Sequence, residues 1–182
     1  YAGENLNTQA KELRETGFRM YITRDLEIAR QHVRERYTNE PHARYGIIAS
    51  SRDKVLPQWG ILNDWHSTKR VRIGPWFNEN PNNEDSCCQL RQCVTEFQCQ
   101  GLELDMTIVG WGTDFILENA KWTNRLASRH RRAPKDAFVL RRNSYRVLLT
   151  RGRDGMILFV PPIDRLNETY QFLLSCGFKS LD

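Results

Sequence analysis

The 182 residues suffice for one globular domain, and 27 Lys and Arg against 22 Asp and Glu give a formal net charge of +5, which suits a polyanionic partner. Hydrophobic residues make up 40% and charged residues 27%, proportions that exclude a disordered chain. The longest apolar run, residues 156–162, is much shorter than a membrane-spanning helix, and no charged-then-apolar leader opens the chain, so we expect a cytoplasmic protein without membrane contact.

The first part of the chain alternates between helix and strand patterns. Residues 1–17 are polar and weakly helical, which suits a linker or a helical extension. A short strand is expected at 18–23 and an amphipathic helix at 25–37, with Thr23 at its N-cap position. Residues 44–51 form a mostly apolar strand typical of a parallel sheet. Strand, helix and strand in this order predict an α/β fold.

The rest of the chain is irregular at first and regular later. Residues 52–86 mix tryptophans with Pro, Gly and Asn, and 78–86 read as a plain loop. Apolar patterns then predict strands at 89–95, 105–111, 115–118 and 156–160, and helices at 137–150 and 165–176.

Residues 94–105, Val-Thr-Glu-Phe-Gln-Cys-Gln-Gly-Leu-Glu-Leu-Asp, follow one predicted strand and lead into the next. They resemble motif V of superfamily 1 helicases. The glycine lets backbone approach a ligand closely, and the threonine hydroxyl suits a nucleic-acid phosphate. The resemblance implies that three residues face a nucleotide: Gln100, Gly101 and Glu103. It also implies that Thr95 and Phe97 face a single strand. Many relatives have His at the position of Phe97, so in this chain the contact would be stacking on a base and not a hydrogen bond.

Residues 143–160 are similar to motif VI, in which a helix carrying Val-Ala-Leu-Thr-Arg-Ala-Arg is followed by a buried strand; this chain has Val-Leu-Leu-Thr-Arg-Gly-Arg. The resemblance implies that Arg151 is an arginine finger, which neutralises charge on the γ-phosphate of ATP bound to a neighbouring domain. Such fingers contribute roughly 10³ to 10⁵ in rate. Arg153 is a second candidate for nucleotide contact. The alternative interpretation is a surface arginine pair that complements the helix dipole.

Motif V precedes motif VI by about fifty residues, with a strand pair ending Asn-Ala-Lys-Trp and a basic linker between them. This order is similar to that of a bacterial helicase group related to the Schlafen C-terminal region. The resemblance implies that residues 1–182 form one second RecA-like domain, a three-layer α/β fold of the P-loop NTPase type. It implies a mainly parallel sheet with ligand contacts at the carboxyl ends of the strands. Arg52 would face a phosphate, whereas residues 54–88 match nothing in that group.

A phosphate-binding loop is missing from this sequence. It contains no Gly-x-x-x-x-Gly-Lys-Ser/Thr motif, no Gly-Lys pair, and no apolar strand ending in Asp-Glu that could hold magnesium. Together with Tyr1 in place of Met, this suggests a piece excised from a longer polypeptide. We therefore expect ATP and Mg²⁺ to bind in the parent protein, between this domain and an N-terminal P-loop domain, with single-stranded DNA or RNA as the second partner. Residues 1–182 alone should hold neither cofactor.

Two other functions stay open at the level of sequence. A metal-dependent nuclease would use Glu103, Asp105, Glu118 and Lys121. Such enzymes need the Glu and Lys two residues apart on a strand, and three residues place them on opposite faces. A degenerate, non-catalytic RecA-like domain would bind nucleic acid only through the basic segment 129–153 and exposed aromatic residues.

Cysteine and histidine spacings do not predict a metal site. The cysteines Cys87, Cys88, Cys93 and Cys99 lack the two separated pairs of a structural zinc site, so we expect free thiols. The four histidines lie among polar residues without ligand spacing, and we expect exposed imidazoles: His32, His42, His66 and His130.

Overall fold

The computed structural model describes residues 2–128 and 135–182, with side chains from residue 8 onwards. The strands are β1 (Arg19–Thr23), β2 (Tyr45–Ala49), β3 (Cys93–Thr95), β4 (Leu104–Gly110), β5 (Ile116–Glu118), β6 (Lys121–Thr123), β7 (Gly152–Phe159) and β8 (Lys179–Ser180). The α-helices are α1 (Ala2–Glu15), α2 (Leu26–Arg36), α3 (Trp65–Thr68), α4 (Ile73–Asn78), α5 (Ala137–Leu149) and α6 (Asn167–Ser175). Single 3₁₀ turns span Leu56–Trp59, Cys87–Gln89 and Asp164–Leu166. None of the helices in these ranges is long and apolar enough to cross a membrane.

Six strands form one parallel sheet in the order β3-β2-β4-β7-β1-β8, while β5 and β6 form a separate antiparallel hairpin. Every residue of β2 is buried, as are the last five residues of β7. Strands covered on both faces have continuous apolar runs, and this is why the sequence pattern located both. The predicted three-layer α/β, RecA-like fold with a parallel sheet is confirmed.

The N-cap of α2 differs from the prediction. Asp25, and not Thr23, has the extended backbone of a cap (φ −118°, ψ 120°), and its carboxylate accepts from the Glu27 N–H at 2.7 Å and from the Ile28 N–H. Thr23 is the last residue of β1, and its hydroxyl donates to Asp182 Oδ1 at 2.5 Å. The prediction was wrong because Asp25 stands two residues nearer to the helix and an Asp side chain caps at least as well as Thr.

Three other predicted elements begin at different residues. The strand predicted at 89–95 is only β3, because Gln89 belongs to a 3₁₀ turn and Leu90 has a positive φ of 56°. In contrast, β7 begins four residues earlier than predicted, since Gly152 pairs with Leu104 of β4. The helix predicted at 165–176 is divided into a 3₁₀ turn and α6. Pairing partners, which the local apolar pattern does not contain, decide these boundaries.

Residues 54–88 pack onto the outside of the sheet. The indole of Trp76 in α4 is 1% exposed and lies against Gly46 of β2. A Cβ atom at Gly46 would come within 2.8 Å of Trp76 Cζ2, so only glycine fits there. The irregular composition of this stretch therefore still supplies part of the core.

An aromatic cluster joins the β5–β6 hairpin to α5. Phe115 and Trp122 are stacked with ring centroids 4.8 Å apart, and Trp111 lies 4.4 Å from Tyr145 of α5. These contacts anchor α5 over the connection that follows β4.

Candidate functional site

The predicted site residues fall into two groups at opposite edges of the sheet. Because the six strands are parallel, β2 and β3 end at one edge, the carboxyl edge, where Arg52 and Thr95 lie. Strands β4 and β7 begin at the other, the amino edge, next to Glu103 and Arg151. The predicted nucleotide group therefore does not lie at the carboxyl ends of the strands, where we expected all ligand contacts. Glu103 directly precedes β4 and Arg151 directly precedes β7, so both lie where strands begin.

A cavity of about 640 Å³ opens at the carboxyl edge, and we call it the carboxyl-edge cleft. Its lining residues are Ser51, Arg52, Asn63, Trp65, Thr68, Lys69, Thr95, Phe97 and Gln98. The three residues predicted to contact nucleic acid, Arg52, Thr95 and Phe97, thus share one cavity. Trp65 and Lys69 come from the stretch that had no counterpart in the resemblance, and sequence reasoning missed both.

The side chains of the cleft differ in how firmly they are held. Thr95 is buried, and its N–H and hydroxyl both lie within hydrogen-bond distance of Gln98 Oε1, at 3.1 and 3.2 Å. Phe97 and Trp65 are 62% and 73% exposed, which is unusual for large aromatic side chains. A rigid floor with two exposed aromatic rings suits stacking on planar ligands.

At the amino edge, Arg151 is half-buried and is held by oxygen atoms without charge. Its guanidinium donates to Val147 O at 3.1 Å, to Leu102 O at 3.3 Å and to the Thr150 hydroxyl at 3.1 Å. Within the described ranges Arg151 forms no ion pair with a carboxylate. Its positive charge is therefore fixed in place and not neutralised.

The loop of residues 100–103, which contains Gly101, lies beside Arg151. The Leu104 N–H donates to Arg151 O at 2.8 Å, which joins the start of β4 to the start of β7. Gly101 has a φ of 81°, a conformation that favours glycine, and Gln100, Gly101 and Glu103 are all exposed. The structure thus brings the segment 101–104 and Arg151 together.

Arg153 has a different environment. Its guanidinium pairs with Asp105 Oδ1 at 2.5 Å, and this hydrogen bond raises the pKa of Arg153 above its ordinary value. Asp105 also accepts from the Arg44 N–H at 2.6 Å. Arg153 is therefore engaged within the domain, whereas Arg151 retains an unneutralised charge.

A buried polar network, which sequence reasoning missed, lies under the carboxyl-edge cleft. Arg141 of α5 is only 3% exposed; its guanidinium lies 2.9 Å from Asp114 Oδ2 and 3.4 Å from Glu96 Oε1, and also bonds the Ser50 hydroxyl. Arg141 belongs to the basic segment 129–153, but it is buried and therefore adds no charge to the surface that this segment would offer to nucleic acid. Its spacing from Tyr145 and Leu148, which share the buried face of α5, is the signal that could have located it.

Charge in this network is unevenly balanced. Two buried carboxylates, Glu96 and Asp114, face one guanidinium, and burial raises the pKa of Asp114 although Arg141 opposes the shift. The Tyr145 hydroxyl donates to Asp114 Oδ1 at 2.7 Å, and burial raises the pKa of Tyr145 well above 10.0. Because Glu96 stands between Thr95 and Phe97, this network supports the floor of the cleft from below.

Two of the four residues of the nuclease alternative, Asp105 and Glu118, are engaged in separate ion pairs. Glu118 bonds Arg125 in a bidentate contact and lies opposite Lys121 in the hairpin, while Asp105 pairs with Arg153. Across residues 2–128 and 135–182, no group of three or more His, Cys, Asp or Glu side chains could hold a metal ion. The residues in these two ranges thus offer no observation in favour of a metal nuclease.

The thiols and two of the three described imidazoles are as expected. Cys87, Cys88, Cys93 and Cys99 are buried and free. His42 and His66 are exposed, but His32 is half-buried against the ring of Tyr21, with centroids 4.7 Å apart, and burial lowers its pKa. The prediction of an exposed imidazole is wrong for His32 because its helix turns it toward β1. Arg129, His130, Arg131 and Arg132, which begin the basic segment 129–153, lie outside the described residues.

Comparison with protein families gives one match over most of the chain. A family model described as Schlafen group 3, DNA/RNA helicase domain, matches residues 2–162. No match was found among curated proteins or among solved structures. The matched range includes the lining of the carboxyl-edge cleft and the arginine at the amino edge.

Proposed function

The chain belongs to the Schlafen group 3 DNA/RNA helicase domain family, and we propose that it acts as the second RecA-like domain of a helicase-like ATPase. In this proposal the carboxyl-edge cleft binds a single strand of DNA or RNA. Arg151, at the amino edge, reaches ATP that is bound to a P-loop domain of the same parent protein.

The environment of Arg151 is the observation that supports the ATP site most directly. A guanidinium held by neutral oxygens keeps its full charge and can stabilise the charge that develops on a transferring phosphoryl group. Exposed Glu103 in the adjacent loop offers an acceptor for ribose hydroxyls. ATP and Mg²⁺ fit this donor set only if a second domain holds the phosphates and the metal, because this sequence has no phosphate-binding loop.

The composition of the cleft supports the nucleic-acid site. Arg52 and Lys69 supply positive charge for phosphates, and Phe97 and Trp65 supply faces for bases. The floor that carries Thr95 is fixed by Gln98 and, through Glu96, by the buried network. These features agree with the nucleic-acid-related role of the family.

The test uses the parent protein that includes the P-loop domain. Arg151→Ala should lower the rate of ATP hydrolysis by a hundredfold or more, since arginine fingers contribute about 10³ to 10⁵. Binding of a single-stranded oligonucleotide, which takes place at the opposite edge, should stay within about twofold of wild type. Arg146→Ala removes an exposed arginine near the end of α5, the helix that precedes Arg151. This variant is the matched control and should leave the rate of ATP hydrolysis unchanged.

Equal hydrolysis rates for Arg151→Ala and Arg146→Ala would contradict the arginine finger. Retained oligonucleotide binding in both would then support the non-catalytic binding domain instead.

A further inference from the structure

One wall of the carboxyl-edge cleft contains a hydrogen-bond acceptor without a partner. Asn63 is 1% exposed, and its Nδ2 donates to Ser50 O at 2.6 Å and to Asp53 O at 3.1 Å. Only the amide nitrogen can donate to two carbonyl oxygens, so the orientation of the amide is determined. Asn63 Oδ1 is then a buried acceptor, and no described group donates to it. Such an acceptor is unfavourable unless a ligand or water supplies a donor.

The wall also presents Trp65 in a defined position. Trp65 begins the short helix α3, whose N-cap Asp64 accepts from the His66 and Ser67 N–H groups at 2.9 and 3.1 Å. At the other end of α3, Thr68 O accepts from Gln98 Nε2 at 2.8 Å. Gln98 follows Phe97 directly, so this bond links the segment that carries Trp65 to the segment that carries Phe97. Both rings line the same cavity.

Positive charge continues from the cleft beyond the end of α3. Lys69 lines the cleft, and Arg70 and Arg91 line a neighbouring cavity of about 240 Å³ together with Ser67. All three cationic side chains are exposed. A phosphate backbone that follows these cations would pass the opening of the cleft.

We propose that the cleft binds one unpaired nucleobase, stacked on Trp65 and Phe97, with its N–H edge donating to Asn63 Oδ1. This inference rests on the proposed function, and it specifies which part of the nucleic acid the cleft recognises. Phosphate does not suit the interior because a carbonyl acceptor repels it, so phosphates stay with Arg52 and Lys69 at the rim. A base inside a duplex has its pairing edge occupied and its faces stacked, and therefore does not enter. In this proposal Trp65 favours binding of single strands over duplexes.

The experiment measures binding of the 182-residue chain to oligothymidylate of about 12 nucleotides and to an abasic phosphodiester of the same length. Trp65→Ala should weaken oligothymidylate binding about tenfold, because the stacking of a base on one aromatic ring typically contributes a factor of this order. Binding to the abasic strand should not change, and Trp65→Phe should restore most of the lost affinity. Leu140→Ala, which removes an exposed apolar side chain from α5, is the control and should bind both strands as wild type does.

A second probe alters the ligand and not the protein. Methylation at N3 of each thymine removes the N–H donor, and should weaken binding to the wild-type chain about tenfold because the buried acceptor then stays unpaired. The base pocket would be overturned, while nucleic-acid binding stands, by either of two results. Trp65→Ala could bind oligothymidylate as tightly as wild type does, or it could lose as much affinity for the abasic strand as for oligothymidylate. Failure of the wild-type chain to bind any of these strands would instead overturn the proposed nucleic-acid role of the cleft.

Discussion

Two arginines near the two ends of one helix have opposite surroundings. Arg141, in α5, is buried against Asp114 and Glu96, and these carboxylates neutralise its charge inside the domain. Arg151, just beyond the end of α5, is half-buried, and its hydrogen bonds to the described residues go to carbonyl and hydroxyl oxygens. A neutralised guanidinium stabilises the fold, whereas an unneutralised one can act on a ligand. Residue type and position in a basic segment do not separate these roles; the partner atoms do.

Replacement of Arg141 should destabilise the domain strongly. Arg141→Met keeps most of the side-chain volume but leaves Asp114 and Glu96 buried without a counterion. Breaking one partner of a buried pair lowers the free energy of unfolding by about 3–5 kcal/mol, which urea denaturation followed by circular dichroism would measure. Arg142→Met, at the exposed neighbouring position, is the control and should change it by less than about 0.5 kcal/mol. Similar values for both variants would mean that the buried network does not stabilise the fold.

At the scale of elements, α3 has only four residues and depends on its cap. Asp64→Ala removes the acceptor for two N–H groups, which costs about 1 kcal/mol at a typical N-cap. The turn that holds Trp65 should then open more often, and affinity for oligothymidylate should fall several-fold although Asp64 does not line the cleft. Asp25→Ala removes the cap of α2, beyond β1, and β1 is separated from β2 by β4 and β7. It should lower stability without changing that affinity.

The pH dependence of this effect has a definite sign. The hydrogen bond from the Ser67 hydroxyl, and to a smaller extent those from backbone N–H groups, lower the pKa of Asp64 below its ordinary value of 3.8. A depressed pKa in the folded state means that the cap contributes fully above about pH 4 and is lost as the pH falls through the lower folded value. As the pH is lowered, the oligothymidylate affinities of wild type and Asp64→Ala should therefore become equal only below about pH 4. Convergence already near neutral pH would show that the carboxylate does not hold α3.

The elements that the sequence predicted well are those determined by local pattern. Strand β2 and helix α5 were located because their apolar periodicities are strong, and the resemblance to a Schlafen-related helicase group, which rested on residue order, agrees with the family match. Residues 54–88 could not be predicted, since Trp76 is positioned by Gly46, thirty residues away in sequence. Trp65 and Asn63 were missed for the same reason. Their roles depend on the end of β2 and on Gln98, which only the tertiary fold brings near.

In the whole molecule, two segments connect the proposed sites. Both α5 and the connection from β3 to β4 run from the carboxyl edge to the amino edge. Near the carboxyl edge, Arg141 of α5 pairs with Glu96 of that connection; near the amino edge, Arg151 donates to Leu102 O. The two segments are therefore tied together at both ends, and they give a physical route by which a strand bound at Phe97 could affect the position of Arg151.

The C-terminal residues after the family match are expected to be needed for this architecture. The hydroxyl of Thr169 in α6 accepts a hydrogen bond from the Leu117 N–H at 2.9 Å, and this bond supports the β5–β6 hairpin. Strand β8 pairs with β1 at the edge of the sheet. The segment buries three large apolar side chains, Leu166, Tyr170 and Leu173. At roughly 1.5–3 kcal/mol each, their removal costs on the order of 5 kcal/mol, which is comparable to the whole stability of a domain.

A chain that ends at residue 162 should therefore lose cooperative urea unfolding, whereas a chain that begins at Gly17 should keep it. The second truncation is the matched control because, among the described side chains of residues 8–16, only Ala10 is buried. It removes about as many residues from the other end of the chain, and it tests the prediction that residues 1–17 are an extension of a single domain. Cooperative unfolding of the chain that ends at residue 162, at nearly the full-length midpoint, would show that the parallel sheet without β8 and α6 already forms the complete folding unit.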